Sequence, residues 1–380
     1  MARHALSILG TRGVPAGHGG FETFAERLAL HLVERGWEVS VYCQVAGNGA
    51  LAEDYWRGVR RVLIPVATPG APGTAVFDWR ATLHASRCAG AALVLGYNTA
   101  VFCALLRLRR RPTVINMDGI EWRRAKWSAP MKAWFWLNER LGCRLGHRLV
   151  ADNPGIADHL ATRVGRKKIE MIPYGADAVA AADPAPVRAL GLTPERYAIV
   201  IARPEPENSV LEIVRAFSRS RRRDKLVVLG DLTPNVNRYH AAIRHGAGED
   251  VIFPGAIFDR RVVAALRCHA RLYIHGHQVG GTNPSLVEAL GAGNPVLARD
   301  NPFNRWVAGP SAAYFGSEDE CAQAIDRLLG DDAALAAMSA AARRRHAERF
   351  DWSDVLRCYE ELLAPFARPA SRPARSPRFR

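Results

Sequence analysis

The sequence lacks several features that would place a protein in a specialised class. Its seven cysteines are scattered, with no C-x-x-C pair and no His/Cys/Asp cluster at zinc spacing, so free buried thiols in a reducing compartment are expected. No run of about 18 uninterrupted apolar residues occurs, so no transmembrane helix is expected. Residues 1–4 lead directly into a strand-like segment, without the apolar region and cleavage site of a signal peptide. We therefore expect a cytoplasmic protein.

Acidic residues are in the minority, and this shortage limits the partners that the chain can attract. The formal net charge is +15 over 380 residues, from 52 Lys and Arg against 37 Asp and Glu. The excess is concentrated between Arg107 and Arg148, where eleven basic residues accompany three acids. A strongly basic protein attracts anions, which include nucleic acid, acidic membrane and phosphorylated ligands. The charge alone leaves all three open.

Strand-like and helix-like segments alternate along most of the chain, which is typical of a parallel doubly wound α/β sheet. The alternation is interrupted at 175–195, a segment rich in Ala, Pro, Gly and Asp that we interpret as a linker. The sequence thus predicts two Rossmann-like domains, at 1–176 and 177–350, with a cleft between them. An amphipathic helix is expected at 351–365, and the basic tail at 366–380 contains no acid and is expected to be disordered.

A glycine-rich loop precedes the first predicted helix. Five glycines fall within residues 10–20, and Gly19 and Gly20 come directly before the helix. Unpaired N–H groups and the dipole at a helix N-terminus attract an anion, and glycines allow it to approach the backbone closely. The loop has neither the Lys-Ser/Thr ending of a P-loop nor the G-x-G-x-x-G pattern. A plain strand-to-helix turn needs only one glycine, so we expect a phosphate-binding loop of another kind.

A second loop of this type lies at 277–293, after another strand-like segment. Its small residues just before or within the first helical turn are Gly281, Thr282, Asn283 and Ser285. Glu288 follows about one turn further on, where a carboxylate can reach ribose hydroxyls while the helix N-terminus holds phosphates. The alternative is that Glu288 is an ordinary exposed helix residue. Arg203 follows the first strand of the second predicted domain and is placed to meet a diphosphate.

Two carboxylates follow a strand in the first predicted domain. Asp118 and Glu121 lie in the segment "NMDGIEWRRAKW" at 116–127, and they are the best candidates for a catalytic carboxylate. The alternative is an Asp-Gly turn followed by a surface acid that pairs with a neighbouring arginine. The residues alone do not distinguish these two interpretations.

Aromatic and basic residues are interleaved in and after this segment. Tryptophan among cations is typical of proteins that dock on an anionic membrane, although a buried helix with a basic outer face gives the same pattern. The residues that we assign to membrane or acceptor contact are Trp122, Arg123, Arg124, Lys126, Trp127, Lys132, Trp134 and Trp136.

Four segments together resemble a known family. They are "GTRGVPAGHGGFETFAERLA", "NMDGIEWRRAKW", "ARPEPENSVLEIV" and "GGTNPSLVEALGAGNPVLA". They are similar to the retaining GT-B glycosyltransferases of family 4, and more narrowly to the bacterial branch that contains polysaccharide rhamnosyltransferases. The resemblance spans residues 5–365. It implies a GT-B fold in which the second domain binds a nucleotide-sugar, the first domain binds an acceptor, and the helix at 351–365 packs on the first domain.

The resemblance also implies roles for individual residues. It places these residues against the donor diphosphate: Gly19, Gly20, Arg203, Gly281, Thr282, Asn283 and Ser285. Glu288 would bind the ribose, and Asp118 or Glu121 would position or deprotonate the acceptor hydroxyl. No metal and no separate cofactor are expected, because fixed positive groups and helix N-termini stabilise a leaving diphosphate.

Two positions depart from the wider family pattern. The family often carries a Glu eight positions before the residue that matches Glu288, and here that residue is Gly280. It also commonly places a Lys in the loop after the arginine, and here Glu207 stands near that position. The narrower branch shares both features, so they affect the expected donor contacts rather than the expectation of an enzyme.

The expected function is transfer of a sugar to a lipid-diphosphate-linked saccharide at the inner face of the cytoplasmic membrane, in cell-surface polysaccharide synthesis. The favoured donor is dTDP-rhamnose, with GDP-mannose and UDP-sugars next. One alternative is a sugar-nucleotide epimerase on the same two-domain plan. A nucleic-acid-binding protein is the other, but the paired glycine-rich turns argue against nucleic acid as a partner. The sequence leaves the oligomeric state open.

Overall fold

The computed structural model describes residues 4–17 and 19–367. Its contacts divide the chain into two compact units. The first unit contains the described residues up to Ile172 and those from Val355 onward, and the second unit is Pro173–Asp354. Within the described residues, no helix is both long and apolar enough to span a bilayer.

Strands make up the centre of both units. In chain order they are β1 (Ala5–Leu9), β2 (Glu38–Ala46), β3 (Ala52–Trp56), β4 (Val59–Val66), β5 (Ala91–Leu95), β6 (Thr113–Asn116), β7 (Arg148–Ala151), β8 (Ile169–Met171), β9 (Tyr197–Ile201), β10 (Lys225–Leu229), β11 (Val251–Gly255), β12 (Leu272–His275), β13 (Val296–Arg299) and β14 (Ala313–Phe315).

Helices connect most of these strands. In chain order they are α1 (Gly20–Glu34), α2 (Gly70–Ala85), α3 (Cys103–Leu108), α4 (Ala129–Leu145), α5 (Pro154–Ala161), α6 (Ala185–Ala189), α7 (Val210–Ser218), α8 (Arg238–His245), α9 (Arg260–Cys268), α10 (Pro284–Gly291), α11 (Pro302–Ala308), α12 (Glu318–Leu329), α13 (Asp332–Arg349) and α14 (Trp352–Leu363). Short 3-10 turns include Glu121–Arg123, Pro206–Asn208 and Ala364–Phe366.

The first unit is built on an eight-stranded sheet in the order β3-β4-β2-β1-β5-β6-β7-β8. Its strands are parallel, except that β3 runs antiparallel to β4. The central strand β1 is buried along its whole length, as expected for an apolar strand of a parallel sheet with both faces covered. The strand order reverses between β1 and β5. Such a switch point makes the carboxyl edge of the sheet the natural place for a ligand.

The second unit contains a parallel six-stranded sheet in the order β11-β10-β9-β12-β13-β14. One face of the sheet packs Tyr197 and Tyr273 against Leu286 of α10. The opposite face packs Val200 against Phe217 of α7. The order reverses between β9 and β12, so the loops after these two strands meet at the carboxyl edge.

The predicted architecture of two Rossmann-like α/β units is confirmed, but three local predictions are wrong. The sequence pattern predicts a helix near 79–90, whereas α2 begins earlier, in a Gly-Ala-Pro-Gly stretch that resembles a loop. Pro72 fits there because it lies in the first turn. The short edge strand β3 was missed, because its sequence AEDYW carries little apolar alternation. The segment interpreted as a linker contains α6, and its Val187 and Leu192 are buried in the second unit's core.

The helix predicted at 351–365 is α14, and from Val355 onward it belongs to the first unit. Its buried Tyr359 packs against Phe24 of α1, with ring centroids 4.6 Å apart, and the Tyr359 hydroxyl accepts a hydrogen bond of 2.9 Å from the Asn116 side chain. Glu360 pairs with Arg35 at 2.8 Å. Of the predicted tail, residues 368–380 lie outside the described residues.

Candidate functional site

The loop after β1 leads into α1 at the carboxyl edge of the first sheet. Gly19 caps α1 with φ 107°, a left-handed conformation that favours glycine, and a Cβ there would overlap the Glu22 carboxylate. That carboxylate accepts a hydrogen bond from the Arg12 N–H at 3.1 Å, and Glu26 accepts one from the Ala16 N–H at 2.6 Å. Two carboxylates of α1 therefore hold the loop. Contact of Gly19 and Gly20 with a diphosphate stays a prediction.

A pocket of about 160 Å³ opens beside this loop, at the switch point between β1 and β5. Its polar lining residues include Arg12, Glu22, Gln44, Thr74, Asp78, Asn98 and Thr99. The Thr99 hydroxyl donates a hydrogen bond of 2.7 Å to the Asp78 carboxylate. Burial nevertheless raises the pKa of Asp78 to about 6, because an ionised carboxylate is poorly solvated there. The sequence analysis did not predict a role for Asp78.

Asp118 lies just beyond β6, the strand that pairs with β5. Its φ of 49° is uncommon for a residue other than glycine, and its N–H donates a hydrogen bond of 2.9 Å to the Asn116 side chain. Asn116 also accepts a backbone hydrogen bond of 2.9 Å from Gly96 at the end of β5. Asp118 is partly exposed. The fold therefore places Asp118, with its unusual backbone conformation, at the carboxyl edge of the first sheet.

Glu121 is held by neighbours within the same loop. Its side chain is buried, and its carboxylate accepts hydrogen bonds from Arg124 Nε at 2.6 Å and from Trp127 Nε1 at 3.3 Å. Its backbone N–H donates to the Tyr97 hydroxyl at 2.8 Å. These contacts fix the turn at 121–123. Of the two predicted carboxylates, Asp118 is thus the more accessible one, and Glu121 is part of the framework of the loop.

The other predicted tryptophan of this loop also binds a carboxylate. Trp122 Nε1 donates a hydrogen bond of 2.6 Å to Glu139 of α4, and His159 and Arg163 contact the same carboxylate at 3.0 and 3.3 Å. Burial opposes ionisation of Glu139, but these hydrogen bonds, that of His159 first, outweigh burial and lower its pKa. The loop at 116–127 is thereby fastened to α4 and α5.

The predicted aromatic and basic residues differ in their exposure and in their partners. Trp122 and Trp127 point their N–H groups at buried carboxylates, with Arg123 and Lys126 stacked over their rings. Trp136 is 43% exposed, and the Arg140 guanidinium lies 3.3 Å from its ring centroid. The other large apolar side chains of α4 that are exposed are Trp134 and Leu137, and Lys132 of the same helix is partly buried.

In the second unit, the loop after β9 presents Arg203. The Arg203 side chain is 68% exposed and lies 3.7 Å from Glu205. Its backbone is fixed, because the Asn208 side chain donates a hydrogen bond of 2.8 Å to the Arg203 carbonyl. Glu207, the residue that departs from the family pattern, is buried, and its carbonyl accepts from the Gln278 N–H at 2.9 Å.

The loop after β12 is fastened to this first loop. The Gln278 side chain donates to the Ser209 hydroxyl at 2.9 Å, and the Ser285 hydroxyl donates to the Ile201 carbonyl at 3.1 Å. Tyr273 contacts the same Ser285 hydroxyl at 2.6 Å. The two predicted phosphate-binding loops of the second unit, after β9 and after β12, are therefore brought together at one edge of its sheet. The Ser285 hydroxyl is already engaged by protein groups there.

Helix α10 begins at this edge with a side-chain cap. Asn283 accepts a hydrogen bond of 3.0 Å from the Ser285 N–H, and Thr282 is 3% exposed. Gly280 has φ 136°, which a side chain would strain. One turn into α10, Glu288 forms an ion pair with Arg267 of α9. The sequence analysis did not predict this arginine.

Two histidines that the sequence analysis did not assign lie beneath this loop. The His275 and His277 rings stack with centroids 4.3 Å apart. His275 is buried, and within the described residues neither of its ring nitrogens has a hydrogen-bond partner. Burial, with a smaller effect of His277, lowers the pKa of His275 well below its usual value, so the ring is neutral. Within the described part of the chain, no cluster of three or more His, Cys, Asp or Glu residues could hold a metal.

Comparisons with known proteins agree with this fold. The structure is similar to a sucrose-phosphate synthase from Thermosynechococcus elongatus, with a TM-score of 0.80 at 17% identity, covering 96% of this chain and 100% of that one. It is also similar to HepE of Anabaena in complex with UDP and glucose. The TM-score is 0.74 at 15% identity, and the match covers 96% of this chain and 100% of that one. An α,α-trehalose 6-phosphate synthase from Burkholderia multivorans is similar as well. Its TM-score is 0.72 at 13% identity, and the match covers 96% of this chain and 97% of that one.

Sequence comparison places each unit in a family. None of the curated proteins compared by sequence matches the chain. Residues 18–179 match the family model described as Glycosyltransferase Family 4, and residues 188–345 match the model described as Glycosyl transferases group 1. These two matches cover most of both Rossmann-like units, and the chain belongs to the GT-B glycosyltransferases of the family 4 type.

Proposed function

We propose that this glycosyltransferase moves a sugar from a nucleotide-sugar to a hydroxyl of a lipid-diphosphate-linked saccharide, with retention of the anomeric configuration. In this reaction the bond between the anomeric carbon and the diphosphate breaks, and a bond from that carbon to the acceptor oxygen forms on the same face of the sugar. The nucleoside diphosphate leaves, and the acceptor hydroxyl gives its proton to the Asp118 carboxylate. Solved structures of the same fold that contain UDP, such as HepE with UDP and glucose, support a nucleotide-sugar donor.

The observation that carries the proposal is the joining of two loops at the carboxyl edge of the second sheet. The hydrogen bonds from Gln278 to Ser209 and from Ser285 to Ile201 hold the N-terminus of α10 beside the loop that carries the exposed Arg203. Backbone N–H groups and a guanidinium together suit a diphosphate. Their charge stabilises the diphosphate more strongly as it leaves than when it is bound in the intact donor.

Glu288 completes the donor site in this proposal. Its ion pair with Arg267 fixes the carboxylate one turn inside α10, where it accepts hydrogen bonds from the ribose hydroxyls. The sugar is proposed to be rhamnose carried on dTDP. Its support is the sequence resemblance to the polysaccharide rhamnosyltransferase branch.

The first unit is proposed to bind the acceptor. Asp118, partly exposed at the end of β6, orients the attacking hydroxyl and accepts its hydrogen bond. The pocket beside the α1 loop has room for several water molecules or for the hydroxyls of a sugar ring, and Asp78 and Thr99 supply partners for them. Neither role requires a metal.

The acceptor's lipid is proposed to bring the enzyme to the inner face of the cytoplasmic membrane. The exposed face of α4, formed by Trp134, Trp136, Leu137 and Arg140, carries the amphipathic rings and the cation that favour an anionic interface. The net charge of +15 strengthens this attraction over a longer range.

The test is a transfer assay with purified protein, membranes from a polysaccharide-producing bacterium, and labelled dTDP-rhamnose, GDP-mannose and UDP-glucose. We expect label to enter the lipid fraction from one donor, and to be lost with Glu288→Gln. The matched control is Glu249→Gln, a 92% exposed glutamate that lies 3.9 Å from Arg221 at the surface of the same unit. Absence of transfer from every donor, together with salt-sensitive binding to oligonucleotides, would refute the proposal.

A further inference from the structure

A thiol, an imidazole and a carboxylate lie close together at the amino edge of the first sheet, opposite to the proposed acceptor site. The cluster consists of Cys88, His84, Glu53, Tyr42 and Arg111, and we call it the thiol cluster. Cys88 lies between α2 and β5 and is partly exposed. The transfer reaction uses none of these residues, so their arrangement needs a separate explanation.

The side chains form a chain of polar contacts. The Cys88 sulfur lies 3.9 Å from His84 Nδ1, and His84 Nε2 lies 3.5 Å from the Glu53 carboxylate. Glu53 favours the tautomer with the proton on Nε2, which leaves Nδ1 as the ring nitrogen that can accept the thiol proton. Glu53 is held in turn by Arg60 at 2.5 Å. The order of thiol, imidazole and carboxylate is the one that activates a cysteine nucleophile.

Tyr42 adds a hydrogen-bond donor to the same place. Its hydroxyl lies 2.9 Å from His84 Nδ1 and 3.9 Å from the Cys88 sulfur. Burial raises the pKa of Tyr42 far above its usual value, so the hydroxyl keeps its proton and can donate it to an anion.

Arg111 supplies a buried positive charge behind the cysteine. It is 3% exposed, and its guanidinium donates to the Cys88 carbonyl at 2.6 Å, to the Ser7 hydroxyl at 2.8 Å and to the carbonyls of Ala85 and Ala91. Its Nε has no hydrogen-bond partner, and within the described residues no carboxylate pairs with it. A buried cation without a counter-charge is unfavourable, so a thiolate at Cys88 would compensate it.

Charge and hydrogen bonding overcome the effect of burial at this sulfur. Burial by itself raises the pKa of the Cys88 thiol, but the hydrogen bond and charge of His84, with Arg111 and Tyr42, lower it to about 7. At Cys103 and Cys321 burial dominates and raises the pKa of the thiol to about 12. Neither of these two buried cysteines has a histidine hydrogen bond that lowers its pKa, so Cys88 differs from both.

We propose that Cys88 is a reactive thiolate, and that the thiol cluster is a site of covalent modification by small hydroperoxides and other electrophiles. The sulfur attacks the terminal oxygen of a hydroperoxide, an S–O bond forms and the O–O bond breaks. The sulfur is oxidised by two electrons to sulfenic acid, and the hydroperoxide is reduced to an alkoxide or hydroxide that takes a proton from water. The site is independent of the sugar transfer, and its test does not use transferase activity.

The first experiment measures alkylation of the folded full-length protein by iodoacetamide between pH 5 and 9, with each cysteine quantified by mass spectrometry. We expect Cys88 to reach half of its maximal rate near pH 7, and to react at pH 7 about tenfold faster than Cys268, which is also partly exposed. A Cys88 profile centred above pH 8.5, or a rate at pH 7 no higher than that of Cys268, would overturn the proposal.

Two variants and one trapping experiment complete the test. His84→Gln is expected to move the half-maximal pH of Cys88 upward by about one unit, and His245→Gln, an exposed histidine at the end of α8, is expected to leave it unchanged. With hydrogen peroxide and dimedone, we expect a sulfenic acid adduct at Cys88 and none in Cys88→Ser. An unchanged profile in folded His84→Gln, or no adduct in the wild type, contradicts the proposal. If His84→Gln does not fold, the wild-type profile and the adduct decide it.

Discussion

Arg267 of α9 forms an ion pair with Glu288 of α10, and this pair connects two helices of the second unit beside the proposed donor site. Arg267 is 8% exposed, and its carbonyl accepts a hydrogen bond of 2.7 Å from the buried Asn294 side chain. The backbone of Arg267 is therefore anchored, and its buried guanidinium is held by the ion pair with Glu288. Glu288, which is partly exposed, presents an oriented carboxylate rather than a freely rotating one.

Loss of this orientation should weaken donor binding. Arg267→Lys removes the planar guanidinium but keeps the charge, so we expect the KM for the nucleotide-sugar to rise by about tenfold while kcat changes little. Initial rates at varied donor concentration give both constants. The control is Arg221→Lys, whose side chain is 93% exposed, and it should behave as wild type. A fall in kcat with unchanged KM would show that the arginine does not act through donor binding.

The two carboxylates after β6 should respond differently to loss of charge. Asp118→Asn is expected to reduce kcat by about 100-fold or more with nucleoside diphosphate binding unchanged, since it removes the group that orients and deprotonates the acceptor hydroxyl. Glu121→Gln is expected to lower Tm, because Arg124 and Trp127 lose a buried anionic partner. Kinetics, calorimetric binding and thermal unfolding distinguish the two. The reverse pattern would assign catalysis to Glu121.

The close approach of the two loops in the second unit depends on Gly276. A Cβ at this residue would overlap the Asn208 carbonyl, so Gly276→Ala should push the Arg203 loop away. We expect a loss of about 1–3 kcal/mol in the free energy of unfolding and a weaker Kd for the nucleoside diphosphate. Gly165→Ala is the matched control, since Gly165 has φ −60° and no atom within 4 Å of the added Cβ. Equal behaviour of the two variants would contradict the expected overlap.

The raised pKa of Asp78 predicts a pH dependence of stability. Because the folded-state pKa of about 6 exceeds the unfolded value of about 3.9, the folded protein binds this proton more tightly. The resulting stability is full below about pH 4 and is lost as the pH rises through 6. Asp78→Asn should therefore raise Tm relative to wild type above pH 6 and show no gain at pH 4. Asp54→Asn is a control with the opposite expectation, because the Arg61 hydrogen bond lowers the pKa of Asp54. This substitution should not raise Tm above pH 6. A Tm difference for Asp78→Asn that does not change with pH would refute the assignment.

The exposed face of α4 predicts binding to anionic vesicles. Trp136→Ala should weaken binding to vesicles containing phosphatidylglycerol by about tenfold, because the ring loses its place at the interface. Binding should also fall as salt is added. Tyr55→Ser, at a 74% exposed position on β3, is the control and should bind as wild type. Equal binding of wild type and Trp136→Ala in a sedimentation assay would remove α4 from the proposed membrane contact.

Local sequence patterns were sufficient to predict much of the fold. Apolar positions at helical spacing, followed by Gly146, predict a helix from about 129 to 145, and α4 has these bounds in the structure. The glycine-rich turn before α10 also lies where the sequence placed it, since Asn283 and Pro284 are strong start signals. These features depend on neighbours along the chain, which is why a single sequence shows them.

Contacts between distant residues could not be predicted in this way. Nothing near Glu288 indicates that Arg267 pairs with it, and nothing near Glu121 shows that Tyr97 and Trp127 enclose it. Asp78 was missed because its pKa depends on burial created by residues from separate strands. The chemistry of these carboxylates is set by tertiary packing, which residue type and spacing do not encode locally.

The hydrogen bond between Tyr359 and Asn116 makes the first unit's carboxyl edge depend on a helix far along the chain. The Asn116 side chain accepts the Asp118 N–H and donates to the Tyr359 hydroxyl, so α14 supports the loop that carries the proposed acceptor carboxylate. A truncated chain that stops before α14 would keep both glycine-rich loops but leave Asp118 without this support. Deletions that spare every predicted site residue can therefore still disturb the proposed acceptor site.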